Sequence, residues 1–312
     1  LAVAPHRLLF LAGAFNVLAA MAWWTLWMLS MRWQVVALPA SPIPPGWAHA
    51  FIMAFQVFTP FIFGFALTVF PRWMGQPELS RWHYVPVGLG LFGGQLLVLV
   101  GLWGHAHLVH LGVIFSLVGW TSGMVSLFGV LWREQGRTWH AVSAFVALGL
   151  GLFGLMLFAV WLHRPQAAQL VFASFKLGML GFLLPIYVTV CHRMLPFFAG
   201  NVVAGHRGWR PMPWLGAFWA LLALHLLLEL MHGYAWLWLA DVPLLALGSL
   251  MLWKMWPRGP MPGLLRVLFI ALSWFPLAMA LFVVQSLWLA WSGEFALGRA
   301  PMHALAIGFF GS

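Results

Sequence analysis

Long apolar runs dominate this chain, each of about 20 residues and separated from the next by a short polar stretch. Only 6% of the 312 residues are charged and 63% are hydrophobic, whereas about a quarter of an ordinary soluble domain is charged. The runs are continuous and do not alternate with polar residues, so they predict membrane-spanning helices and not barrel strands. We therefore expect an all-α, polytopic transmembrane helix bundle, forming one domain over residues 1–312.

About ten spans are predicted, and the last of them is partial. It begins near Gly298, and the remaining residues are too few to cross a hydrocarbon core of about 30 Å. We therefore expect the natural chain to continue beyond Ser312. The nine complete runs are Leu8–Met31, Trp47–Phe70, Tyr84–Trp103, His107–Trp132, His140–Leu162, Ala167–Val190, Pro213–Met231, Trp236–Lys254 and Leu264–Trp291.

Lysine and arginine are distributed unevenly between alternate loops. With the N-terminus inside, eleven lie on the inner side and three, Arg32, Arg164 and Arg299, on the outer side. Because positive loops stay in the cytoplasm, this bias predicts a multi-pass membrane protein with a cytoplasmic N-terminus. The net charge of +10 does not indicate a nucleic-acid partner, since the basic residues are scattered singly and form no stripe.

Thirteen histidines and one cysteine restrict the metal chemistry open to this chain. A single cysteine, Cys191, excludes a disulfide framework, a thiolate zinc site and an iron–sulfur cluster. Any metal must therefore take nitrogen, oxygen or thioether ligands.

One group of three polar residues interrupts the seventh run. His225, Glu229 and His232 are spaced by four and three residues, which would place them on one helix face. We interpret them as candidate metal ligands, with the carboxylate either binding the metal or orienting an imidazole. A proton relay and a helix–helix hydrogen bond are the alternatives.

His49 and His303 each open a span from the outer side of the membrane. Imidazole is the usual axial ligand of haem iron and also binds copper well. We expect His49, His225 and His303 to converge on one metal or haem. We also interpret Lys176, near the middle of the sixth run, and Arg193 as a proton or anion site.

The last residues carry a resemblance to a known family. Gly298 to Gly311, GRAPMHALAIGFFG, resembles the GRAPxHALxIGFFG signature of the NnrS family. Phe63 to Gly75 looks like the end of the family's second span, and His192 to Phe198 looks like its stretch after the sixth.

This resemblance implies a bundle of about twelve helices that contains haem and copper and is linked to nitric oxide tolerance and denitrification. It also implies a small gaseous ligand, nitric oxide, and an electron-transfer partner. Relatives commonly open the second span with His-Ala-His-Glu-Met, where this chain has His49, Ala50, Phe51, Ile52 and Met53. The chain thus resembles a divergent member in which His49 and His303 survive. A membrane transporter and a non-catalytic membrane subunit are the alternative functions.

Overall fold

The computed structural model describes residues 3–34 and 37–311, and over these residues the chain is helical without strands. Because the bilayer core offers no water to backbone N–H and C=O groups, a chain this apolar satisfies them within helices. The α-helices are α1 Pro5–Trp33, α2 Pro45–Ile52, α3 Thr59–Trp73, α4 Val85–Gly101, α5 Ala106–Glu134, α6 Trp139–His163, α7 Ala168–Lys176, α8 Leu184–Val202, α9 Met212–Leu230, α10 Trp238–Met255, α11 Gly263–Ser292 and α12 Ala300–His303.

Nine helical segments of the described chain are long and apolar enough to cross a membrane. Each overlaps one of the nine predicted runs, and a shorter apolar helix over Ala300–Phe310 takes the place of the partial tenth. The prediction of an all-α polytopic bundle is confirmed.

Three π-helical segments interrupt the second, sixth and tenth of these helices: π1 Met53–Val57, π2 Leu177–Leu183 and π3 Ala304–Phe310. His49 lies one turn before π1, whereas Lys176 and His303 directly precede π2 and π3. Short π-helical turns are rare and are found frequently at functional sites. Three residues that the sequence singled out therefore border the irregular turns of the bundle.

Internal contacts divide the chain into two compact units, unit 1 ending at Met179 and unit 2 beginning at Leu180. The expectation of one transmembrane domain stays a prediction. Within unit 1, α4 packs closely along α5. A Cβ atom built on Gly90 would lie 2.5 Å from the Cα of Gly119, so the two backbones meet where both residues lack a side chain.

The sixth span differs from the prediction at its C-terminal end. The sequence predicted a loop from Cys191, but α8 continues through Pro196 to Val202. Consequently His192 is fully buried and not beside a loop. Its ring stacks on that of Trp214 with centroids 5.2 Å apart, and this aromatic cover replaces the water that a loop position would have supplied.

Candidate functional site

A histidine between two carboxylic acids lies in the interior of unit 2. His225 on α9 is 1% exposed and Asp241 on α10 is fully buried. The two are joined by a hydrogen bond of 2.5 Å between Nδ1 of His225 and Oδ1 of Asp241. The turn after α9 brings the start of α10 back beside it, which is why residues sixteen positions apart meet.

The second acid of this site follows His225 by one helical turn. Glu229 is 3% exposed, and its Oε1 lies 3.7 Å from Nε2 of His225. Phe282 on α11 packs its ring edge-on against the imidazole, with centroids 5.2 Å apart and an interplanar angle of 84°. The bond to Asp241 fixes the orientation of the ring, so Nε2 faces Glu229 and is the nitrogen available to a metal or a proton.

His232 does not share this helix face. The helix ends at Leu230, and His232 adopts a left-handed backbone with φ of 57° in the turn that follows. Its side chain is exposed, and its Nδ1 lies 3.1 Å from the hydroxyl of Tyr234. The prediction of one shared helix face required a helix that continues through position 232, but α9 ends before that position.

His303 is exposed at the end of α12, and its tautomer follows from one contact. Its Nδ1 lies 2.9 Å from the backbone carbonyl oxygen of Arg299. A carbonyl oxygen only accepts, so Nδ1 carries the hydrogen and Nε2 keeps its lone pair. This is the arrangement that commonly holds metal-binding histidines.

His49 belongs to unit 1 and is half-buried. Its imidazole stacks on the indole of Trp24 with centroids 4.2 Å apart and an interplanar angle of 19°. One face of the ring is thereby covered and its orientation restricted. Lys176 and Arg193 are half-buried within the sixth span, on α7 and α8 respectively.

The convergence of His49, His225 and His303 on one metal stays a prediction. Among residues 3–34 and 37–311, no group of three or more His, Cys, Asp and Glu side chains lies close enough to hold a metal ion. His225 is buried beside two carboxylates, whereas His303 is exposed beside a backbone carbonyl.

Sequence reasoning missed Asp241. The chain has five acidic residues, and Asp241 lies within an apolar run, where an ionisable side chain is costly. That cost was a signal available from the sequence. His192 was missed for another reason, because its burial depends on the continuation of α8 and on the packing of Trp214.

Comparison with known proteins gives one match. The family model described as NnrS protein matches residues 1–312, the whole chain. Neither the curated proteins nor the solved structures contain a match to the chain. The resemblance seen in its motifs is thereby confirmed, and the chain belongs to the NnrS family, whose members are membrane proteins generally linked to nitric oxide.

Proposed function

We propose that this protein binds haem in the membrane and acts in nitric oxide metabolism or tolerance, with electrons supplied by a partner protein. Family membership supports the link to nitric oxide. The observation that carries the haem proposal is His303, whose Nδ1 donates to the carbonyl of Arg299 and whose side chain is exposed. An imidazole fixed in this way is suited to axial ligation.

The three candidate histidines differ in what they can accommodate. His303 has the most exposed side chain of the three, which makes it the most accessible to a large ligand such as haem. His49 is a separate candidate imidazole in unit 1, oriented by its stacking on Trp24. His225 is enclosed by Phe282 and two carboxylates, so it suits a single ion such as copper, with Glu229 as an oxygen ligand. His232 would join this site only if its turn moved.

Bound haem would supply an iron that takes small diatomic ligands and exchanges electrons. His303 would hold the group, and its hydrogen bond to the carbonyl of Arg299 would orient the imidazole. Apolar surroundings suit such a ligand, since nitric oxide is a small, weakly polar gas.

An absorption spectrum of the purified protein tests the haem proposal. We expect a Soret band in the wild type and a loss of most of this band in His303→Ala. His105→Ala is the matched control, because His105 is also exposed at a helix end and should retain the band. A folded wild-type protein that shows no Soret band after expression with excess haem would contradict the proposal.

The membrane and the orientation form a second part of the proposal. We propose the bacterial cytoplasmic membrane with the N-terminus inside, on the basis of the eleven-to-three distribution of basic residues. With Cys191 replaced by alanine, Pro42→Cys should react with an impermeant thiol reagent in intact cells. Gly208→Cys should react only after the cells are opened, and both positions are exposed, so accessibility is matched. The reverse pattern would place the histidines of the outer side in the cytoplasm.

Proton movement is a second candidate function, and the site of unit 2 favours it. Asp241, His225 and Glu229 form a buried row of acid, imidazole and acid, the chemistry of proton relays in membranes. Such a relay would serve a proton-coupled transporter or a reaction that consumes protons. Lys176 and Arg193 would then each be a candidate proton or anion site in the sixth span. Loss of proton uptake in Glu229→Gln reconstituted in vesicles, with the Soret band retained, would separate this function from haem binding.

A further inference from the structure

Unit 1 contains a cluster of four uncharged polar side chains, here called the amide cluster. It consists of Asn16 on α1, Gln56 in π1, Gln95 on α4 and Ser116 on α5. Each of these residues is at most 1% exposed, and each lies within a membrane-spanning helix. Four helices thus bring polar groups together where the surroundings offer no bulk water.

One chain of hydrogen bonds runs through the amide cluster. Nε2 of Gln95 donates to the backbone oxygen of Asn16 at 2.6 Å, and Nδ2 of Asn16 donates to the backbone oxygen of Gln56 at 3.2 Å. Nε2 of Gln56 then donates to Oγ of Ser116 at 3.1 Å. The hydroxyl of Ser116 donates in turn to the backbone oxygen of Gly112 at 2.9 Å.

These partners fix the orientation of every amide in the cluster. Backbone carbonyl oxygens only accept, and the single hydrogen of the Ser116 hydroxyl is already used on Gly112. Rotating the amide of Asn16, Gln56 or Gln95 by a half-turn would therefore place oxygen against an oxygen that has no hydrogen to give. The three nitrogens are the donors, and the three side-chain oxygens point away from these bonds.

All three of these side-chain oxygens are left without a hydrogen-bond partner in the described part of the chain. They are Oδ1 of Asn16, Oε1 of Gln56 and Oε1 of Gln95, and all are buried. A buried acceptor left unsatisfied is costly, and the cost is greater where the local dielectric constant is low. Each of the three side-chain oxygens therefore lacks a positively polarised partner.

We propose that the amide cluster is an internal binding site for a small electropositive ligand, either water or a largely dehydrated sodium ion. Water donates hydrogen bonds to carbonyl oxygens, and such oxygens also replace the hydration shell of alkali cations. The cluster contains no carboxylate, so it suits a neutral or singly charged ligand better than a divalent ion. This site is independent of the haem and proton functions proposed above.

The π1 segment, which contains Gln56, adapts the second span to this site. The backbone oxygen of Gln56 accepts from Asn16, and the backbone oxygen of Phe55 accepts from the hydroxyl of Thr59 at 2.7 Å. Side chains thereby satisfy carbonyl groups in the irregular turn. π-helical turns are commonly found at functional sites.

The sodium arm is tested by thermal unfolding of the full chain in detergent, in sodium chloride and in choline chloride at equal ionic strength. If the ligand is sodium, the wild-type midpoint should rise by about 3 °C or more in saturating sodium. Gln95→Leu should lose this shift. Gln285→Leu, the same change on α11 of unit 2, should keep it.

The water arm is tested by X-ray radiolysis in ¹⁸O-labelled water, in which activated bound water oxidises neighbouring side chains. Phe55 is fully buried beside Gln56, so its labelling in the wild type requires internal water. Phe269 in unit 2 is equally buried and serves as the unlabelled control. The label on Phe55 should fall at least several-fold in Gln95→Leu.

A sodium-dependent midpoint identifies the ion, and labelling of Phe55 without sodium dependence identifies water. The wild type alone can overturn the proposal. If its midpoint does not depend on sodium, and if Phe55 is labelled no more than Phe269, the cluster is empty. A folded Gln95→Leu protein that retains the full effect would also overturn it.

Discussion

Gly90→Ala is expected to lower the free energy of unfolding by about 3 kcal/mol or more, although it adds a single methyl group. The new Cβ would lie 2.5, 2.6 and 2.7 Å from Cα of Gly119, N of Gly119 and O of Phe115. All three are backbone atoms, which cannot move aside as a side chain can. The helices α4 and α5 would have to separate, and the measurement is reversible unfolding in mixed micelles.

The same helix provides the control for this substitution. Gly93→Ala places its Cβ no closer than 3.5 Å, to the ring of Phe115. Because alanine is the better helix former by about 1 kcal/mol, this variant should match or slightly exceed the wild type. Equal stabilities of the two variants would show that α4 and α5 do not approach as closely as the structure describes.

Asp241→Ala is expected to cost about 3 kcal/mol, since it removes the acceptor of a fully buried imidazole. Nδ1 of His225 would then be buried with its hydrogen unused. Replacing both partners, in His225→Leu with Asp241→Leu, should restore a large part of this loss because no polar group is left unsatisfied. Unfolding under the same conditions measures both variants.

Glu294→Gln is the control, since Glu294 is exposed and its replacement should change stability by less than about 0.5 kcal/mol. The informative comparison is the double variant. If its loss equals the sum of the losses in His225→Leu alone and in Asp241→Leu alone, His225 and Asp241 do not act as a pair.

The membrane fold could be predicted from the sequence because the bilayer imposes the length and composition of each span. Close packing at Gly90 was foreseeable as well, since small residues allow helices to approach. The end of the sixth span was not foreseeable. Polar residues after Val190 predict a loop, but α8 continues to Val202, and His192 is covered there by Trp214.

The candidate site was predicted in part. His225 and Glu229 lie four residues apart on one helix, and the periodicity of the helix places them together. Asp241 joins them only because the turn between α9 and α10 folds the chain back. The geometry of this turn determines which atoms meet. The outward position of His232 depends on where α9 ends, and helix ends are the least predictable part of a helix.

The three π-helical segments have a consequence for how the chain is compared with its relatives. Each π turn accommodates more residues than an α turn, so removing one residue from π1 would restore ordinary pitch. The remainder of that span would keep its orientation, because the π turn takes up the extra residue locally. Phe63 would therefore stay buried among its neighbours. A relative without this π turn would be one residue shorter here, and an alignment that ignores the gap would shift every later residue of the span by one position, or about 100° around the helix. Buried faces would then be matched to lipid-facing ones.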